Sequence, residues 1–369
     1  MSPSQIEIQL IAAVTAAACA LPGVFLVLRR MTMMSDAISH TVLLGIVIGF
    51  FWVQDLSSPL LVLGAAAVGL LTVSLVALLE RTRLVKEDAA IGLVFPALFS
   101  IAVIIITRFA GNVHLDTDAV LLGEIAFAPF DRFEPFGIDA GPRGLWVMGG
   151  ILLINLAFIG LFYKELKLST FDAGLAATLG FAPAVLHYGL TSLVSVTVVG
   201  AFDIVGSVLV VALIVAPAAA AYLLTDRLAV MLGLSVLMGV VSGISGYWLA
   251  YLMDASISGG IAVMAGVLFA LTYLFAPGRG LVAVIRERAN QKREFAVTML
   301  AGHVLNHEAT PDAQTENRLS HLGEHLRWSP EYAAQVVRHA QQDGVLNVQG
   351  DRLALTPTGR QRAEQSLRL

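Results

Sequence analysis

The stretch from Ile204 to Leu224 reads IVGSVLVVALIVAPAAAAYLL, twenty-one residues without a charge. At about 1.5 Å per helical residue it reaches across the roughly 30 Å of a bilayer's hydrocarbon core. Pro217 removes one intrahelical hydrogen bond and predicts a kink, and the alanines after it offer a thin face to another helix. Eight further runs of similar length are present: Ile6 to Leu28, Thr32 to Val53, Pro59 to Leu79, Ala90 to Thr107, Leu145 to Tyr163, Leu179 to Val199, Ala229 to Leu252 and Ser258 to Ala276. The reading is an all-α polytopic membrane protein of about nine transmembrane helices, or eight if one run does not cross, with short breaks near Gly200 and Met253.

Composition agrees with this. Of 369 residues 57% are hydrophobic and 14% charged, with a mean hydropathy of +0.79, whereas a soluble domain carries roughly a quarter charged residues. The net charge of −4 gives no basic footprint for nucleic acid. The single cysteine, Cys19, cannot form an internal disulfide and reads as a small packing residue. Charge is uneven, with 28 Asp, Glu, Lys or Arg up to Ala276 and 22 in the 93 residues after it. The expected domains are therefore a transmembrane domain over 1–276, a cytoplasmic linker helix over 277–316 and a small cytoplasmic domain over 317–369.

The basic residues orient the bundle. Met1 to Leu10 carries no basic residue, while Arg29 and Arg30 follow the first apolar run, so that run reads as a retained helix and not a cleaved signal. Placing Arg29 and Arg30 inside also places Arg81, Arg83, Lys86, Lys164, Lys167 and Arg227 there, and leaves Arg108, Arg132 and Arg143 outside. Eight against three predicts N-out, C-in.

Ionisable residues within apolar segments ask for a partner or a role. Asp36 and His40, in MSDAISHT, are four apart and share one helix face. A carboxylate and an imidazole so placed can ligate a divalent cation, manganese, zinc or iron(II) better than calcium, but they are only two ligands. The same spacing also suits a plain hydrogen bond. In the external loop His114, Asp116, Asp118 and Glu124 could collect cations at an entrance, or form a solvated loop and helix start. His187 and Asp203 are weaker candidates, Asp203 also as an N-cap. No GxxxxGK[ST] loop and no HExxH occurs, so the chain carries neither an ATPase site nor that metalloprotease signature.

Five ordered motifs carry a resemblance. RRMTMMSDAISHTVLL (Arg29 to Leu44), KEDAAIGLV (Lys86 to Val94), HLDTDAVLLGEI (His114 to Ile125), FYKELKLSTFD (Phe162 to Asp172) and VGSVLVVALIVAPAAAA (Val205 to Ala221) resemble the permease subunits of bacterial manganese, zinc and iron ABC transporters, over about residues 1–285. The resemblance implies a non-catalytic permease of an ATP-driven importer in the bacterial cytoplasmic membrane. Its cargo would be Mn2+, Zn2+ or Fe2+, manganese favoured, with no covalently bound cofactor. Asp36 and His40 would be metal ligands in the translocation path, with ATPase subunits docking near Lys164 to Thr178, a second permease chain, identical or related, and an extracellular metal-binding protein. Where that family commonly reads SHAVLPG this chain reads SHTVLLG, with Leu44 in place of proline. The alternative is an ion-coupled secondary metal transporter using the same pair without an ATPase.

The tail begins with Arg279, Arg286, Arg288, Lys292 and Arg293, which suit a helix near anionic lipid. His303 and His307 form a second i,i+4 pair, with Glu308 as a possible third ligand or as part of a solvated helix face. From Asn317 the order helix, helix, hairpin, helix reads as winged-helix-like, and LTPTGRQRAEQSLRL resembles the end of the DNA-binding domain of the iron- and manganese-dependent repressors. Seven basic residues balance seven acidic ones from Asp312 onward, which favours a regulatory or packing module over a DNA reader.

Overall fold

The computed structural model describes residues 2–54, 58–109, 124–134, 139–308, 310 and 316–367. It divides into two compact units, Met1–Pro277 and Gly278–Leu369. Among the described residues nine helices are long and apolar enough to cross a membrane. They are α1 (Pro3–Leu28), α2 (Met33–Val53), α3 (Pro59–Arg81), α4 (Glu87–Phe109), α5 (Arg143–Leu161), then, after the short α6 (Tyr163–Phe171) and α7 (Ala173–Thr178), α8 (Pro183–Val205), α9 (Ser207–Leu224), α10 (Leu228–Met253) and α11 (Ile257–Phe275).

α1 is the central element, packed on α5, α8, α9 and α10. It starts at a capping box in which the Gln5 amide donates to Ser2 Oγ at 3.3 Å and the Ser2 amide donates to Gln5 Oε1 at 2.9 Å. Cys19 is fully buried in it. A β-carbon at Gly23 would overlap the carbonyl of Ile214 on α9. There the two backbones nearly touch, as small residues allow in helical membrane bundles. α9 continues as helix through Pro217, which is buried beside Ala218, Ala220 and Ala221. Leu93, Ile104, Leu153, Leu237 and Val263 are exposed on the flanks of the bundle, where a bilayer solvates apolar side chains.

One boundary differs from expectation. α8 runs past Gly200 to Val205, and the break falls at Gly206, whose φ of 79° suits a residue without a side chain. Gly200 stays helical because it lies against Ile151 and Met148 of α5. Asp203 is accordingly inside the last turn of α8 and is not an N-cap.

The second unit consists of α12 (Leu281–Glu308), a 3-10 turn Leu319–His321, α13 (Leu322–Leu326), α14 (Pro330–Gln342), an antiparallel pair β1 (Leu346–Gln349) and β2 (Arg352–Leu355), and α15 (Pro357–Leu367). Its core joins Ala296, Val297, Leu300, Ala301 and Val304 of α12 to Leu322, Val336, Val337, Leu346 and Leu353. The segment 277–316, read from sequence as a linker helix, thus contributes a full face of that core.

Candidate functional site

α2 packs on α3, α4, α8 and α9. Its closest approach is to α3, where a β-carbon on Gly45 would collide with the backbone of Gly64 and Ala65. Thr72 Oγ1 of α3 donates to Thr41 Oγ1 at 2.8 Å, and Ser35, Ser39 and Thr41 are wholly buried. On the remaining face of the same turns Asp36 and His40 stand side by side. His40 Nε2 lies 3.5 Å from Asp36 Oδ1, with side chains 31% and 36% exposed respectively. The His40 ring rests against Phe95 and Phe99 of α4, at centroid distances of 5.5 and 5.9 Å. The pair is therefore held by packing while its oxygen and nitrogen donors remain accessible, a two-ligand platform that needs further ligands from elsewhere to enclose an ion.

Of the other candidate site, Glu124 alone lies within the described residues. His114, Asp116 and Asp118 lie outside the described residues. Glu124 accepts from Ser256 Oγ at 2.7 Å and from the Ile257 amide at 3.1 Å, a carboxylate across the start of α11. With Asp131, Arg143 and Asp203 it lines a cavity of about 260 Å³. His187 lines a different cavity with Glu80, Arg81 and Tyr188.

Two polar arrangements have no signal in the sequence. Asn155 Nδ2 of α5 donates to Ala18 O at 2.8 Å and to Thr197 Oγ1 at 3.1 Å, tying three helices together. Arg29, at the end of α1, donates through Nε to Thr170 Oγ1 at 3.1 Å and through Nη2 to Ser169 Oγ at 3.0 Å, and burial pulls its pKa below the ordinary value. Both hydroxyls lie within α6, and the cap of α7 is Asp172, which accepts from the Leu175 amide at 2.8 Å. Both partners of each bond are distant in sequence or ambiguous in role, so spacing alone could not pair them. The α6–α7 segment is anchored by the fully buried Leu166 and presents Phe171, Leu175 and Leu179 at 61%, 47% and 61% exposure.

The sequence model of the ABC 3 transport family matches residues 5–276, nearly the whole membrane unit. The chain belongs to that family. It is 50% identical over 353 residues, 96% of each chain, to the zinc transport system membrane protein TroD of Treponema pallidum. With the manganese transport system membrane protein MntD of Bacillus subtilis it shares 46% over 278 residues, 75% of this chain and 94% of that one. Among solved structures, PsaBC from Streptococcus pneumoniae in complex with Fab superposes with a TM-score of 0.63 at 27% identity, covering 76% of this chain and 94% of that chain. As an ABC 3 family member the chain is a multi-pass, non-catalytic permease subunit, and the family implies the general importer architecture of an ATPase, a paired permease and an extracytoplasmic binding protein. The alignment with TroD is longer than the membrane unit and extends into the tail.

Proposed function

We propose that this chain forms the translocation path of an ATP-driven importer of a divalent transition metal, and that Asp36 and His40 are ligands on that path. The observation that carries the reading is the pair itself: a carboxylate and an imidazole 3.5 Å apart, accessible on a helix whose neighbouring polar side chains are buried. Two copies meeting at this face would supply two oxygens and two nitrogens, a set suited to Mn2+, Zn2+ or Fe2+. Zinc and manganese stand in the names of relatives at 50% and 46% identity, so the cargo is given as the class.

The same proposal orients the chain N-out, C-in, on the strength of its basic loops. That orientation puts the α6–α7 segment in the cytoplasm, where its exposed Phe171, Leu175 and Leu179, rooted on α1 through Arg29, suit the ATPase. His114, Asp116 and Asp118 would gather cations outside, with Glu124 committed to capping α11. The tail is assigned as a winged-helix-like packing or regulatory module, for which its helix, helix, hairpin, helix order is the support.

The test is ATP-dependent uptake of radiolabelled manganese, zinc and iron by vesicles holding the assembled complex. Asp36→Asn and His40→Ala are expected to lower uptake by about tenfold or more, since even outer-shell partners of a metal site are worth that much, with normal membrane insertion. Near-normal uptake in both variants would reject the pair as ligands.

A further inference from the structure

The second unit gathers a set of side chains that the transport reading does not use. His303 and His307, one turn apart near the end of α12, have ring centroids 4.7 Å apart. Glu316, which follows α12 in the chain, folds back so that one ligand atom from each of His303, His307 and Glu316 lies within 4.8 Å of the other two. His325 of α13 completes the group, with its ring 5.8 Å from that of His303 and 6.0 Å from that of His307. Its Nε2 stands 2.8 Å from Glu316 Oε2. That oxygen is buried and receives no well-aligned hydrogen bond among the described residues. The ligand atoms of two imidazoles and a carboxylate thus converge, with a third imidazole against the same carboxylate, a grouping of nitrogen and oxygen lone pairs that no apolar packing explains.

We propose that His303, His307, Glu316 and His325 form a metal site in the tail, separate from the residues of the translocation path, that takes one borderline divalent cation, zinc or a first-row metal of similar preference. The donor set is three nitrogens and one oxygen, the ligand chemistry of such ions and not of calcium or magnesium. Bonds of about 2.1 Å in a tetrahedral site separate two ligands by about 3.4 Å, so the atoms need small rotations about side-chain bonds to close on an ion. Glu308, adjacent in sequence to His307, is not a member: its Oε2 is 2.6 Å from Arg360 Nη2. Binding would fasten the last turn of α12 to residues 316–326, making the conformation of the tail depend on metal. That the metal reaching this site is also the cargo rests on the proposed function; the site itself does not.

The experiment uses the full-length chain in detergent carrying His40→Ala, which disables the membrane pair and leaves the tail intact. Co2+ and Zn2+ are the probes. One equivalent of Co2+ is expected to bind with the intense ligand-field absorption of a four-coordinate site and to be displaced by Zn2+. Adding His303→Gln with His325→Gln should weaken Zn2+ binding by about tenfold or more and abolish the band, while adding Glu308→Gln instead should change neither. Absence of the band in the His40→Ala chain, whose tail is unaltered, would overturn the proposal, as would full binding by the double-glutamine variant. Loss of uptake in His40→Ala with Co2+ binding retained separates the two sites; normal uptake in His40→Ala would count against the proposed path and leave this result standing.

Discussion

The two units each place a histidine one turn from another candidate ligand, and they differ in what surrounds it. On α2 the pair Asp36 and His40 stands with two donors on one accessible face. In the tail His303 and His307 are joined by Glu316 and His325 from segments further along the chain. An ion on a transport path must be released, so a platform that is complete only when other elements converge suits conduction. A site with three donors already converging within one unit, and a further histidine beside the carboxylate, suits retention. On the two proposed roles the same sequence pattern would serve opposite ends, with the tertiary neighbours deciding which.

The largest expected effect follows from that contrast. His40→Gln keeps hydrogen-bonding capacity but replaces imidazole by a poor ligand, and uptake by the assembled complex should fall nearly as far as in His40→Ala. His303→Gln should leave uptake within about twofold at low metal concentration, since no residue of the membrane unit is altered. Equal losses from the two substitutions would dissolve the distinction between the units.

A second contrast lies in the glycines. Gly45 has no room for a β-carbon against Gly64 and Ala65, whereas Gly302 in α12 has open space around it. Gly45→Ala should destabilise the bundle by roughly 1–3 kcal/mol through overpacking, and Gly302→Ala should stabilise the tail by about 0.5–1 kcal/mol through helix propensity. Thermal melting in detergent, with a reporter in each unit, reads both signs. A neutral Gly45→Ala would show that α2 and α3 can separate without loss, weakening the claim that packing holds the Asp36 and His40 platform.

The cores suggest a smaller effect again. Among the described residues the buried set of the main membrane core ends at Ile261, with Ala262 packed against it, and the tail core begins at Ala296. A chain ending at Pro277 should insert and associate with its ATPase much as the full chain does. One ending at Glu308 should behave worse, because Val297, Leu300 and Val304 would lose Val336, Val337 and Leu346 and offer a bare apolar stripe. Pull-down and size-exclusion profiles compare them, and loss of ATPase association in the Pro277 truncation with insertion preserved would place the coupling surface in the tail.

What could be read from sequence follows the range of the interactions. Apolar runs and the i,i+4 pairs are local, so the long apolar helices and the Asp36–His40 juxtaposition were legible. The end of α8 was displaced from Gly200 to Gly206 because two glycines compete as breaks and only the fit of Gly200 against Ile151 decides between them. Sequence proximity offers Glu308 as the carboxylate beside His303 and His307; its pairing with Arg360, 52 residues away, leaves that place to Glu316. Arg29 with Ser169 and Thr170 is likewise a contact across some 140 residues, invisible to any periodicity.

The smallest effect expected concerns acid. In the segment between α4 and α5, Arg132 joins Glu7 of α1 at 2.9 Å and Asp139 at 2.7 Å. The Arg132 hydrogen bonds, helped by the Gly141 amide, hold the Asp139 carboxyl below its ordinary value of 3.8, and the two carboxylates raise the pKa of Arg132. A carboxyl with a depressed folded-state pKa contributes stability that is complete above its unfolded value and disappears as pH falls through the folded one. The tether should therefore be at full strength at neutral pH and weaken only below about pH 4. Because these groups are solvated, the effect is small and screened by salt. Asp139→Asn should reduce the acid-dependent part, so that the segment's protease sensitivity rises less between pH 7 and about pH 2.5 than in the unaltered chain. If the unaltered chain shows no such change, the segment between α4 and α5 is held by packing and not by the charge pairing of Arg132.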